Sequence, residues 1–264
     1  QTDVALKCYK KALAIKPDYA DAHANRGNAM KRLERMDEAM ASYELAIALD
    51  PELVFILGDI YYTKMHLCIW DDLASHLNEL VNKINNGEKV LNPFPLLAMI
   101  DDPEIQRKAA EIYANEKYPQ SHVLSRIERY PKHKKVRIGY FSADFRDHPV
   151  SDLTAELYEM HDRERFEIHA FSFGPDTEDE MNLRIKKGVD HFHEVRKMSH
   201  EDTAVLARSL EIDIAVDLGG YTQDCRTEIF AMSAAPIQIS YIGYPGTMGA
   251  NYYDYLVADE TLIP

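Results

Sequence analysis

The stretch VRIGYFSADFRDHPVSD, residues 136–152, decides the fold. Its first part, VRIGYFS, is rich in β-branched and aromatic residues and predicts a short strand over 136–142. Pro149 then stands where a helix begins, because the first helical residue has no use for its N–H. His148 is thereby set between the carboxyl end of a strand and the amino end of a helix. Both places suit an imidazole that meets a ligand. A lone histidine in a loop is also compatible with plain exposure to solvent.

The same alternation continues downstream. FEIHAFSFG (166–174), HFHEV (191–195), IDIAVDLGG (212–220), IQISYIGYP (237–245) and YLVAD (255–259) read as strands. Helical stretches fall between them, at roughly 150–161, 178–188, 200–210 and 225–232. Strands alternating with helices of this length predict βαβ units around a parallel sheet. Ligands of such sheets sit at the carboxyl ends of the strands. Three of these ends lead into polar or glycine-rich loops: SADFRDHPVSD (142–152), GGYTQDCRTE (219–228) and GYPGTMGANYYD (243–254). The sequence contains neither G-x-G-x-x-G nor a Walker motif, so the common nucleotide fingerprints are absent.

Upstream the period changes to 34 residues. Ala5 and Ala39, Tyr9 and Tyr43, Ala12 and Ala46, Leu13 and Ile47, and Pro17 and Pro51 are each 34 apart, and Asp3, Asp37 and Asp71 carry the period into a third copy. EAMASYELAIALDP (38–51) offers small residues where helices approach and one large ring to fill a groove. This pattern resembles the tetratricopeptide repeat, whose helix pairs stack because one pair cannot bury its own apolar face. Residues 1–85 are read as partial repeats of this kind, about two and a half helix pairs. Residues 86–135 are read as a helical linker, and 136–264 as a Rossmann-like lobe. The expected fold class is therefore α/β with an all-α amino-terminal part.

Composition narrows the function. Apolar residues make up 46% and charged residues 28% of the 264, an ordinary globular balance. The net charge of −14 is uneven, −1 over residues 1–135 and −13 over 136–264. An acidic surface argues against nucleic acid or anionic membrane as a general partner. No apolar run approaches the ~18 residues that span a bilayer. Cys8, Cys68 and Cys225 are scattered and odd in number, which fits a reducing cytoplasm. His191 and His193 share one strand face, as in some metal sites, but the spacing of the sequence brings no carboxylate or cysteine to complete a set, and no metal site is expected. Gly219-Gly220 allows close backbone approach before Tyr221 and Thr222. The loop from Gly243 to Gly249 can cradle an extended peptide or simply turn twice.

Repeats followed by KVRIGYFSADFRDHPVS (135–151), VDLGGYT (216–222), APIQISYIGYPGTMG (235–249) and DYLVAD (254–259) closely resemble the O-linked N-acetylglucosamine transferases, glycosyltransferase family 41, of the bacterial type. The resemblance runs in the same order over nearly the whole chain. It implies a two-lobed GT-B fold preceded by a repeat superhelix that recruits protein acceptors. It implies inverting transfer from UDP-GlcNAc to Ser or Thr hydroxyls, with no metal and no resident cofactor. His148 matches the active-site histidine, as a base or as a contact to the reacting groups. Pro149, Tyr221, Thr222, Ile242, Gly243, Tyr244, Pro245 and Thr247 match acceptor-side positions.

Two departures accompany the match. Where animal members carry a second active-site histidine, this chain has Phe94 or Pro95 in NPFPLLAM (92–99), and Gln223 replaces a lysine. The resemblance also implies a further nucleotide-sugar-binding lobe beyond Pro264, so the 264 residues are expected to be an inactive part of the enzyme. Protein O-fucosylation on the same architecture, or a repeat scaffold without catalysis, are the alternatives.

Overall fold

The computed structural model describes residues 2–128 and 130–261. Residues 1, 129 and 262–264, which fall within the three ranges read above, lie outside the described residues. The chain forms two compact units, residues 1–113 and 114–264.

In the first unit the 34-residue period recurs in the backbone. Helix α1 (Thr2–Ile15) and helix α3 (Met36–Leu49) are offset by 34 at both ends. Helix α2 (Ala20–Arg32) is followed by Glu34 at φ 59°, and helix α4 (Ile56–His66) by Cys68 at φ 57°. The left-handed turn that reverses each helix pair thus repeats at the same spacing. Helix α5 (Leu73–Asn85) closes the second pair. Ala39, Tyr43 and Ala46 are fully buried, and the Tyr43 hydroxyl donates to Asn28 Oδ1 at 2.8 Å. The short helix α6 (Pro93–Leu96), the connection after it and the first turns of helix α7 (Pro103–Lys117) add Leu96, Met99, Ile100 and Ile105 to the same core.

In the second unit, strands β1 (Val136–Ser142), β2 (Phe166–Ser172), β3 (His191–Glu194), β4 (Ile214–Asp217), β5 (Ile237–Tyr241) and β6 (Tyr255–Val257) form one sheet. The strand order is β3-β2-β1-β4-β5-β6 and every pairing is parallel. Helices α8 (Pro149–Met160), α9 (Glu180–Gly188), α10 (His200–Ser209) and α11 (Glu228–Ala231) connect the strands. A parallel sheet needs both faces covered. One face packs Ile138, Tyr140, Ile168 and Ala170 with Tyr158 and Ile185; the other packs Phe141 and Phe171 with Ala204, Ala207, Ile212 and Phe230. Phe141 and Phe171 stack at 4.3 Å and are fully buried, each contributing about 1.5–3 kcal/mol.

The elements follow the sequence reading in order and place, but several are shorter. The strands read over 212–220 and 237–245 are confined to 214–217 and 237–241, and beyond Lys117 the linker read over 86–135 holds no helix among the described residues. The helix expected over 225–232 is a single turn at 228–231, because Asp224 sits at φ 61° and Arg226 turns aside to donate to Val195 O (3.1 Å) and Met198 O (2.9 Å). Residues ahead of β1 also join this unit. Ser121 N–H donates to Ala231 O, Arg208 donates to Ser125 O, and Tyr252 donates to Tyr118 O. No helix among the described residues is long and apolar enough to cross a membrane.

The amino ends of β1 and β4 are clasped by His133, which contacts Asp213 Oδ2 at 3.1 Å and Glu211 Oε2 at 2.8 Å. Its hydrogen bond to Asp213 raises its pKa above the ordinary 6.5, against the opposing effect of burial and with help from Glu211. A raised value means that the stabilisation is complete below about 6.5 and is lost as pH rises through the folded-state value. His133→Ala is therefore expected to lower stability by about 1–2 kcal/mol near pH 6 and by clearly less near pH 9. Urea unfolding of both proteins at the two pH values checks this, and an equal loss at both refutes the clasp.

Candidate active site

The strand order sets the place of the site. From β1 the chain winds outward through β2 to β3, then crosses back to β4 and winds the other way to β6. The reversal leaves a crevice between the carboxyl ends of β1 and β4, the position where open α/β sheets bind ligands. The loops after β1, β4 and β5 leave three adjacent strand ends, aligned by the pairings Phe141↔Asp217 and Asp217↔Ser240. These loops carry every site residue named from the sequence.

After β1, the loop is held from below. Phe145 is buried, Asn182 donates to Phe145 O at 2.6 Å, and Asp179 accepts from Asp147 N–H at 3.1 Å while capping α9. His148 is the N-cap of α8, with Nδ1 accepting the Val150 N–H at 3.2 Å. An accepting Nδ1 in a neutral imidazole places the proton on Nε2. That nitrogen faces Asp144 Oδ1 at 3.7 Å, too far for a hydrogen bond, and the side chain is about one-third exposed. His148 Nε2 therefore carries the N–H, in the loop that follows β1. Pro149, exposed, starts the helix behind it. Arg146 is committed to Asp144 at 3.0 Å.

After β4, Asp217 organises the turn. Its Oδ1 accepts from Gly219 N–H (2.9 Å) and Gly220 N–H (3.1 Å), and its Oδ2 accepts from Tyr253 O–H (2.5 Å). Burial raises its pKa, and the three donors pull the other way. Tyr221 is buried, donates to Met248 O at 2.6 Å and lies between the rings of Tyr118 (5.8 Å) and Tyr244 (5.4 Å). Thr222 is half-buried and donates to Gly219 O at 2.8 Å.

After β5, Ile242 adopts φ 61°. This left-handed backbone is an outlier for a β-branched residue and costs of order 1–3 kcal/mol. It turns the chain so that Gly243 meets Leu218, where an added Cβ would fall 1.8 Å from the carbonyl oxygen. Tyr244 is buried under the loop, whereas Pro245 and Thr247 are exposed, with Thr247 Oγ1 accepting from Gly249 N–H. The sequence-named residues thus divide in two. Tyr221 and Tyr244 form an aromatic floor that joins two loops, and His148, Thr222, Ile242, Gly243, Pro245 and Thr247 reach partly or fully exposed positions. Asp217, Tyr253, Met248 and Tyr118 complete the floor. Sequence reading missed them because no local pattern ties residues this far apart.

His191 and His193 occupy edge strand β3 as expected, but β2 brings Glu167 and His169 beside them. The carboxylate that the sequence spacing could not supply comes from the neighbouring strand.

A doubly wound parallel sheet with polar loops at its switch point, in one chain with 34-residue helical repeats, defines a repeat-bearing Rossmann-like protein. Comparison with known proteins makes the assignment particular. The model of glycosyl transferase family 41 matches residues 109–264, and tetratricopeptide repeat models match 1–34 and 20–53. The chain belongs to glycosyl transferase family 41. The probable UDP-N-acetylglucosamine–peptide N-acetylglucosaminyltransferase SEC of Arabidopsis thaliana is 36% identical over 220 residues, which cover 78% of this chain and 22% of that protein. The UDP-N-acetylglucosamine–peptide N-acetylglucosaminyltransferase of Caenorhabditis elegans is 33% identical over 132 residues, 50% of this chain and 12% of that one. A mutant of the Thermobaculum terrenum O-GlcNAc transferase shares the fold, with a TM-score of 0.69 at 24% identity, over 98% of this chain and 50% of that chain. The chain thus spans between about an eighth and a half of the length of these relatives.

The turn after β4 tests the site's construction. Gly220 lies at φ 55°, and an added Cβ would fall 2.4 Å from Tyr244 Cβ. At Gly219 the nearest atom to an added Cβ is 3.5 Å away. Gly220→Ala is expected to cost about 1–3 kcal/mol by overpacking and backbone strain, and Gly219→Ala less. Denaturant midpoints measured at unchanged m-value check the order of the two.

Proposed function

We propose that this chain supplies the acceptor side of a protein O-glycosyltransferase, which moves N-acetylglucosamine from UDP-GlcNAc to Ser or Thr hydroxyls of proteins with inversion. The observation that carries the reading is His148, which caps α8 through Nδ1 at the switch point and leaves Nε2–H without a hydrogen-bond acceptor closer than Asp144 at 3.7 Å. Family membership and the printed activities of the Arabidopsis and Caenorhabditis relatives support it.

In such a transfer the hydroxyl oxygen attacks the anomeric carbon as the bond to UDP breaks. Positioning the two groups and stabilising the departing diphosphate supply most of the acceleration. His148 acts here as a hydrogen-bond donor to a reacting oxygen, since its other nitrogen is held by the Val150 N–H. The acceptor hydroxyl's proton passes to solvent water as UDP departs, so the step yields the glycoside, UDP and one proton, with no base required of this imidazole. Pro149, Thr222, Ile242, Gly243, Pro245 and Thr247 line the acceptor side, and Tyr221 and Tyr244 hold that surface rigid from beneath. The repeats bind protein acceptors. The reaction uses no metal and no resident cofactor, and the setting is cytoplasmic.

The donor's diphosphate is held by residues outside this unit. Residues 136–264 carry a net charge of −13, and the arginines in the loops at the strand ends are engaged, Arg146 by Asp144 and Arg226 by two carbonyls. The 264-residue chain alone is expected neither to bind UDP stoichiometrically nor to turn over UDP-GlcNAc. Calorimetric titration and a peptide-labelling assay measure both, and turnover by this chain overturns the assignment.

Asparagine can cap a helix as His148 does but offers no donor at the position of Nε2. In the whole enzyme, His148→Asn is expected to keep the fold and lower kcat by about 10²-fold or more, the scale of one lost transition-state donor. His148→Ala is expected to add a stability loss of about 1 kcal/mol through the missing cap. Unchanged transfer by the Asn variant would sink the role given to His148.

A further inference from the structure

Strands β2 and β3 pair in parallel with His169 opposite His191 and Phe171 opposite His193. Side chains two apart on a strand share a face, so Glu167, His169, His191 and His193 gather on one side of the sheet edge. Glu167 Oε1 lies 3.0 Å from His191 Nε2 and 3.4 Å from His169 Nε2, and one donor atom from each of the three residues lies within 4.8 Å of the others. The His169 side chain is only 4% exposed, and its Nε2 is a buried atom with no hydrogen-bond partner. A buried polar atom without a partner in an otherwise satisfied site calls for an explanation.

We propose that Glu167, His169 and His191 form a binding site for a divalent first-row transition cation, Zn²⁺ in the first place, which clips edge strand β3 to β2. Two imidazole nitrogens and one carboxylate oxygen select such a cation over Ca²⁺ or Mg²⁺, which take all-oxygen sets. A tetrahedron with bonds of about 2.0–2.1 Å has edges of roughly 3.3 Å, close to the two separations measured from Glu167 Oε1. The fourth position opens to water beside His191, whose side chain is 49% exposed. The surroundings are those of a supported site. His169 Nδ1 lies 3.0 Å from His193 Nε2, so a proton on Nδ1 frees the Nε2 lone pair for the ion. Arg137 Nε lies 3.4 Å from Glu167 Oε2, which leaves Oε1 to face the histidines. Glu167 pairs with Arg137, the second residue of β1, so the site lies toward the amino ends of the strands. The ion takes no part in the transfer proposed at the opposite ends, and the two readings stand or fall separately.

Titration of Zn²⁺ into the metal-free 264-residue chain is expected to show one saturable equivalent and a rise in thermal midpoint. Co²⁺ in its place is expected to give the visible bands of a tetrahedral ion without a thiolate charge-transfer band. His191→Ala, at an exposed edge position that leaves the fold intact, and Glu167→Gln are each expected to weaken Zn²⁺ binding more than 100-fold. His193→Ala is expected to weaken it by about 10–100-fold, with recovery in His193→Gln, which keeps an acceptor for His169 Nδ1–H. Circular dichroism verifies that each variant is folded. The proposal is overturned by the absence of a saturable equivalent, by binding that survives both His191→Ala and Glu167→Gln, or by a thiolate band that traces the ion to Cys8, Cys68 or Cys225.

Discussion

The carboxylate of Asp217 is the constraint on which the functional end of the sheet depends. It is buried at the last position of β4 and accepts three hydrogen bonds, two from the backbone of the following glycines and one from Tyr253. Burying such a group is costly unless its acceptor sites are filled, and here the filling groups are the ones that must be positioned. The Gly219 and Gly220 N–H groups fix the turn after β4. Tyr253, in the segment after β5, draws that segment under β4. Tyr221 then reaches Met248 O, and Tyr244 packs against Gly220. Two loops far apart in sequence are thereby made one rigid surface.

Against this surface stands His148, held by a different device. Its ring nitrogen caps α8, so its orientation is tied to the helix start and not to a mobile loop. The arrangement explains why a histidine serves at this position. A Ser or Asp would cap the helix equally well, but only an imidazole caps with one nitrogen and offers a proton with the other. Capping engages one ring nitrogen and leaves the other free of the helix. The strain at Ile242 belongs to the same economy of geometry, since its left-handed turn brings Gly243 against Leu218 at the crevice.

Much of this was legible in the sequence. The strands were visible as short β-branched and aromatic runs, because a parallel sheet covered on both faces demands them. The 34-residue period was visible because Tyr43 and the alanines around it must recur for helix pairs to stack. His148 was visible because Pro149 announces a helix start. What stayed hidden was contact between distant segments. The floor beneath the loops needs Tyr118, Tyr221, Met248 and Tyr253 together, and no spacing rule links them. The attachment of residues 114–135 to the α/β unit depends on single bonds such as Ser121 N–H to Ala231 O. Glu167 and His169 join His191 only through strand register, which the sequence does not print.

The two ends of the sheet divide their labour. At the amino ends, carboxylates are matched with cations or imidazoles. Asp213 and Glu211 take His133, Glu211 and Glu167 take Arg137, and Glu167 takes His191. These contacts bind β1 to its neighbours on both sides. Arg137 is shared between Glu211 before β4 and Glu167 on β2, so the clasp runs across the same switch point that opens as a crevice at the other end. Strained backbone persists where its surroundings over-determine it, and at Ile242 the close approach of Gly243 to Leu218 supplies that constraint.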